Sequence, residues 1–476
     1  MDERNSLFDV RLEGVQIENF KNVKQGTVVL PNASNRKKPD ILGLYGQNGS
    51  GKTALIDAIS LLKCLLMGMS VPSQYADYIN LDSDSAKITY SFILSRINSS
   101  ETIKIIYKCV LIKEEATSGQ NLIEESVATP ETYKAVVQNE KLTAILMRNG
   151  KIIKRSHSLI DTDSELLPFL PKGQYNSIFG ESKINSAELL ATKRYVAMTS
   201  RSFIFSRELI NLFRQYCKDA DFQLILESLY YYAHIKLFIV NTSNSAMISL
   251  NVLPFAFNYK DSKHISSGVI PIQINGNATI PEDAYNNVMQ ILDSMNIVLK
   301  QVIPGLTVSM RSIGKETDKA GKISHRIQLY SNRNNKAIPL QFESEGIKKI
   351  VSVLNLLINV YNEHAVTVAI DELDSGIFEY LLGELLKIIS EHGKGQLIFT
   401  SHNLRPLETI NKSYIVFTTT DENKRYIRPK NIKSTNNLRA YYYRDITLGE
   451  QPDCVYEETN NYEIALAFEE AGGNCG

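Results

Sequence analysis

Residues 46–53 read Gly46-Gln47-Asn48-Gly49-Ser50-Gly51-Lys52-Thr53. They stand between an apolar run, Ile41-Leu42-Gly43-Leu44-Tyr45, and a segment with Leu55, Ile56, Ile59, Leu62 and Leu66 at helical spacing. The eight residues fit the pattern G-x-x-x-x-G-K-[ST]. Glycines let successive backbone N–H groups turn inward around a polyphosphate, and the helix that follows presents the positive end of its dipole to the same anion. Lys52 then reaches the β and γ oxygens, and the Thr53 hydroxyl is placed to hold Mg2+. A glycine-rich turn alone would need neither the buried strand before it nor the apolar helix after it.

Three further stretches extend the reading. Val366-Thr367-Val368-Ala369-Ile370-Asp371-Glu372 is a β-branched run that ends in two carboxylates, and ligands collect at such strand ends in α/β sheets. Asp371 there would hold Mg2+ through its water shell, and Glu372 would position or deprotonate an attacking water. Leu397-Ile398-Phe399-Thr400-Ser401-His402 is another apolar strand, ending in a histidine that can contact a γ-phosphate. Ser344-Glu345-Gly346 opens a long helix through Ile350, Val353, Leu354 and Leu357, whose free N–H groups form an anion site. Taken alone, Ser344 is an ordinary helix N-cap.

The order of the four signals resembles that of ABC-type P-loop ATPases, in the SMC/RecF/OLD-like branch. Ile17-Glu18-Asn19-Phe20-Lys21 resembles the N-terminal strand motif of that branch, and Gly46 to Thr53 its Walker A. Ser344-Glu345-Gly346 is similar to a reduced signature motif, and Asp371-Glu372 to Walker B with the catalytic glutamate. Leu373-Asp374-Ser375-Gly376 looks like the D-loop and Ser401-His402-Asn403 like the H-loop. Gln74 is the nearest candidate for the Q-loop glutamine. The resemblance covers roughly residues 8–115 and 335–420. It implies ATP and Mg2+ as cofactors, Lys52, Glu372 and His402 as catalytic residues, and Thr53 and Asp371 as metal ligands. It also implies a nucleotide shared between two protomers, with Ser344, Glu345, Gly346 and Asp374 supplied in trans.

The expected fold is α/β: a mixed sheet with flanking helices, split by a compact β-rich and helical insertion. Four segments are expected: 1–158, an ATPase lobe with a β-rich subdomain; 159–304, a mixed, partly helical insertion; 305–420, a second ATPase lobe; and 421–476, a basic tract with an acidic tail. Asn149-Gly150, between Ala144–Met147 and Ile152–Ile153, predicts a hairpin. Residues 186–217 and 222–233 read as helical. Residues 305–341 read as strands with turns at Gly314 and at 332–335. After Glu343 the order helix, strand, helix, strand predicts a parallel sheet.

The 476 residues carry 52 basic and 52 acidic side chains, which excludes a polybasic nucleic-acid binder held by bulk charge. The balance is partly local. Residues 421–444 hold seven basic residues against two acidic, net +5, and residues 456–476 hold five glutamates and no base, net −5. Tyr426, Tyr441, Tyr442 and Tyr443 are interleaved with the basic residues, a composition that can grip nucleic acid, or else an α/β edge neutralised by the acidic tail. The five scattered cysteines, Cys64, Cys109, Cys217, Cys454 and Cys475, fit a reducing, cytoplasmic setting. The polar start of the chain predicts no signal peptide. The longest apolar stretch, Ile350 to Tyr361, is too short and too polar to span a bilayer, so no membrane is expected.

About 290 residues separate the glycine loop from Ser344, too few for a long coiled-coil arm. No acidic cluster of the nuclease kind follows His402. Two function classes follow from the resemblance. One is the sensor or scaffold ATPase of an anti-phage defence module, similar to PARIS-type or Septu/retron-associated ATPases. It would act at least as a dimer, hold a separate effector such as a nuclease or toxin, and answer to a nucleic-acid or phage-protein trigger. The other is a RecF-like DNA-repair clamp. A transporter's ATPase is a third, weaker match, because that branch has a fuller signature and a shorter insert.

Overall fold

The computed structural model describes residues 8–96, 99, 101–115, 133–148, 151–179, 186–241, 252–260, 265–274, 278–317, 321–334, 336–429, 437–448 and 460–473. Asn149-Gly150, Lys430, Lys433, Glu457, Glu458, Cys454 and Cys475 lie outside them.

A six-stranded sheet forms the centre, in the order Tyr426–Ile427, Ile415–Thr418, Asp40–Tyr45, Gln396–Thr400, Thr367–Ile370, Leu237–Val240. Neighbours run parallel except the first pair, which is antiparallel. These strands are short aliphatic runs because both faces are covered. Leu42 and Leu44 point into one core with Ala369, Ile398 and Val416. Ile41 and Tyr45 point into the other with Val368, Ile370, Phe399 and Phe417. That alternation is the two-residue period of a strand used on both sides.

The first core is closed by the helix Lys52–Leu66, which packs on Thr367–Ile370 and Leu237–Val240 and, on its other side, on Asp9–Phe20. Beyond it stands an antiparallel six-stranded sheet: Val23–Val29, Asp9–Phe20, Ser85–Ser95, Glu101–Glu115, Tyr133–Arg148, Lys151–Asp161. Tyr90 of this sheet donates to the Ala58 carbonyl at 2.6 Å, tying it to the helix. The second core is closed by the helices Glu282–Val302, Glu345–Asn362 and Glu379–His392, with the small sheet Ala278–Pro281, Ile323–Arg333, Thr307–Thr317.

The pairing of Tyr133–Arg148 with Lys151–Asp161 places Arg148 opposite Lys151, the pairing expected around Asn149-Gly150. Gly314 is not a turn. It lies inside the strand Thr307–Thr317, where the register shifts by one residue between Ser312 and Gly314. A lone glycine in a strand marks a bulge as readily as a turn. The helical residues 186–217 divide into Ser186–Met198 and Arg207–Tyr216. Leu237–Val240, within the segment read as an insertion, forms the edge of the central sheet.

Parallel register brings the functional residues to one end. Thr400 pairs with Leu44, Ile370 with Phe399, and Ile370 also with Val240. The residues that follow, Gly46, Ser401 and Asp371, therefore leave the sheet at the same rim.

Candidate nucleotide-binding site

The loop begins where the chain leaves the buried strand Asp40–Tyr45. A Cβ at Gly46 would lie 2.0 Å from Thr418 Oγ1 and 2.8 Å from the Thr418 carbonyl, so only glycine fits beside that strand. Gly49 and Gly51 take φ of 77° and 95°, in the left-handed region glycine adopts without strain. Gly51 caps the helix Lys52–Leu66 with no side-chain hydrogen bond, and no acidic residue lies in the first turn. The first N–H groups of this helix thus lack the side-chain cap that helices ordinarily carry, which is the condition for anion binding.

Lys52 is largely buried. Its Nζ donates to the carbonyls of Gly46 at 2.7 Å and Gln47 at 2.9 Å. Burial lowers its pKa, against the opposing fields of Asp371, Asp374 and Glu372. Ser50 Oγ donates to Gln47 O at 2.6 Å and meets Thr418 Oγ1.

Asp371 follows the strand Thr367–Ile370 and is 1% exposed. Its Oδ1 accepts from Thr400 Oγ1 at 2.5 Å, while its buried Oδ2 has no partner. Glu372 has φ 49°, a left-handed conformation that costs about 1–3 kcal/mol for a non-glycine residue. Its N–H donates to Thr400 Oγ1 at 2.8 Å. A cavity of about 150 Å³ joins these groups; Asn48, Gly49, Gly51, Lys52, Thr53, Asp371, Glu372, Thr400 and His402 all line it. Lys21 and Asn22, at the end of the first long strand, complete the wall.

Of the residues read as site residues, Gly46, Gln47, Ser50, Ser344, Glu345, Gly346 and Asp374 do not line this cavity. Ser344 caps the helix Glu345–Asn362 by accepting from Ile347 N, and both Ser344 and Glu345 face solvent. A Cβ at Gly346 would lie 2.1 Å from the Gly376 carbonyl, so this helix start sits directly on the turn after Glu372. Asp374 Oδ2 accepts from the N–H groups of His402 and Asn403, each at 3.0 Å. None of Ser344, Glu345, Gly346 or Asp374 lines the cavity. Gln74 lines a neighbouring cavity together with Thr53, Asp57 and Lys21.

Several residues of this site escape the sequence patterns. Asn22 Nδ2 donates to Gly49 O. Arg425, 4% exposed, donates through Nε and Nη2 to Asn22 O at 2.9 and 2.6 Å, and through Nη1 to Thr419 O at 2.7 Å. Tyr426 OH donates to Gly51 O. The basic tract is therefore in part internal. Arg428 binds the Ser413 and Val29 carbonyls, and Arg439 pairs with Glu379 and Glu408. The acidic helix Asn461–Gly473 is exposed over residues 461–472, and among the described residues no ion pair joins it to the tract. Lys349, buried on the helix that begins at Glu345, has its pKa lowered by burial against the fields of Glu372, Asp374 and Asp371. Its only sequence signal is a cation three residues after Gly346, on the covered face.

A buried parallel strand, a glycine loop, an uncapped helix and a carboxylate at the end of a nearby strand make up a candidate P-loop nucleotide-binding site in a mixed α/β fold. Residues 15–243, just under half of the chain, match the family model described as an AAA domain. Among solved structures the chain is similar to an SMC head bound to the C-winged helix domain of ScpA, at 12% identity, covering 85% of this chain and 93% of that one, TM-score 0.38. It is similar to the SMC head domain from Thermotoga maritima at 14% identity, 88% and 99% coverage, TM-score 0.35. The recombination mediator RecF with ATPγS follows at 13% identity, 86% and 98% coverage, TM-score 0.32. At these scores the likenesses carry no argument about function. No curated protein matches the chain.

Proposed function

We propose that this chain binds and hydrolyses ATP as an ABC-like head of the SMC/RecF type, and that it serves as the sensor or scaffold of an anti-phage defence system that holds a separate effector. One observation carries the ATPase reading: the helix after the glycine loop starts without a side-chain cap, and Asp371, whose buried Oδ2 has no partner, lines the same cavity as that loop. That oxygen fits Mg2+, because a buried carboxylate oxygen without a donor is stable only beside a cation or ordered water. Thr53 and Asp371 would hold the ion, which when bound neutralises phosphate charge. Gly46 to Thr53 wrap the phosphates and Lys52 exchanges its loop carbonyls for phosphate oxygens. Glu372 orients the attacking water, and His402 meets the terminal phosphate.

The trans arrangement is supported by Ser344 and Glu345 being exposed outside the cavity of their own chain. A second protomer would bring its helix start to the open side of the bound nucleotide. The defence role rests on the motif resemblance. Among the described residues no helix is long and apolar enough to cross a membrane, and no group of His, Cys, Asp and Glu could hold a metal as a second catalytic centre. Effector chemistry then falls to a partner, a nuclease or toxin.

Purified protein should bind ATP with Mg2+, release phosphate, and gain mass as a dimer or larger assembly with ATP. A monomer under every nucleotide condition would contradict the shared site. The RecF-like clamp uses the same site and differs in its response to DNA. Turnover stimulated by DNA ends or gaps, with steep salt dependence, would favour it.

A further inference from the structure

The residue that contacts both the Asp371 carboxylate and the Glu372 backbone carries no charge and stands outside the Asp371-Glu372 pair. Thr400 ends the strand Gln396–Thr400 and is 1% exposed. A threonine hydroxyl has one proton to donate and lone pairs to accept with. The Glu372 N–H can only donate, so it fixes Oγ1 as acceptor at 2.8 Å. The hydroxyl proton is then committed to Asp371 Oδ1, at 2.5 Å. One hydroxyl therefore does two things. It occupies Oδ1 of Asp371, a residue that lines the cavity, while the buried Oδ2 keeps no partner, and it holds the Glu372 backbone at φ 49°.

We infer that Thr400 is a positioning residue: its hydroxyl selects which oxygen of Asp371 meets the metal and fixes the backbone from which Glu372 projects. This rests on the reading of the cavity as a Mg2+–nucleotide site. β-Branching suits the role, because Cβ carries both the hydroxyl and a methyl and allows few χ1 rotamers. The bond also spans two strands. Leu373 N donates to Thr400 O at 3.1 Å, so the turn after Asp371 is pinned to the same residue by a second, backbone contact that substitution leaves intact.

The test is a Mg2+ titration of the binding of a fluorescent ATP analogue to the full chain, with a parallel titration in EDTA. Thr400→Val keeps shape and removes the hydroxyl. It should raise the Mg2+ concentration needed for half-maximal binding roughly tenfold, the usual effect of losing a partner behind a metal ligand. Its binding in EDTA should equal that of wild type. Thr400→Ser keeps the hydroxyl and should titrate like wild type. A Thr400→Val curve superimposed on wild type overturns the inference, and so does an equal loss in EDTA. If Thr400→Val fails to fold, Thr400→Ser decides: loss of its Mg2+ response overturns the proposal. Wild type without Mg2+-dependent binding would overturn the nucleotide reading itself, a result distinct from any change confined to the variants.

Discussion

Tyr426 donates its phenolic hydroxyl to the Gly51 carbonyl at 2.8 Å, across 375 residues of chain. The residue that gives the phosphate loop its last turn is thus held by a short strand at the far edge of the central sheet. Tyr426→Phe leaves that buried carbonyl without its partner, at a cost of about 1 kcal/mol. Nucleotide affinity should fall about fivefold if the loop pays that cost on binding. Calorimetric titration checks this, and unchanged affinity would show that the loop holds its shape without the brace.

Gly46 meets the neighbouring strand at Thr418, the residue paired with Tyr426. Gly46→Ala drives a methyl into Thr418 backbone and side chain, and should abolish nucleotide binding and lower the melting temperature. Gly49→Ala meets no atom within 4 Å and carries only the strain of φ 77°, about 1–2 kcal/mol. Side-by-side denaturation should rank Gly46→Ala well below Gly49→Ala.

Glu372→Gln preserves shape and removes the carboxylate proposed as the base. It should bind ATP as wild type does, slow phosphate release about a hundredfold or more, and favour the assembled state. Phosphate release and size-exclusion light scattering measure both, and wild-type turnover would remove Glu372 from the mechanism.

Asp40 gives the chain a pH signature outside the site. It is fully buried beside Arg11, and burial pushes its pKa up to about 6 from 3.8. The folded protein therefore holds this proton more tightly than the unfolded chain. The stabilisation is complete below about pH 3.8 and is lost as pH rises through 6, on the order of 3 kcal/mol in full. Relative to Asp40→Asn, wild type should lose stability between pH 4 and 6.5. Parallel curves for the two proteins in urea would contradict this.

The glycine loop, the strand ending in Asp371-Glu372, and the strand ending in His402 were legible in sequence because each is a local pattern: apolar residues on both faces, then an abrupt polar end. The hairpin around Asn149-Gly150 was legible for the same reason. The brace was not. Arg425 and Tyr426 sit in a tract whose composition reads as a solvated basic surface, and only the pairing of Tyr426–Ile427 with Ile415–Thr418 turns them inward. Thr400 lay in view within its strand, but the partners of its hydroxyl depend on register with Thr367–Ile370. Leu237–Val240 was hidden because four residues carry too little pattern to separate a sheet edge from the helix before it.

That placement of Tyr426 bears on how the molecule comes into being. The phosphate loop leaves the ribosome early, while its brace follows 375 residues later. At about 5–20 residues per second the loop waits on the order of half a minute before it can be fixed. Until then the nascent chain carries the loop without its brace, and the fully braced loop exists only in a protein translated past Tyr426.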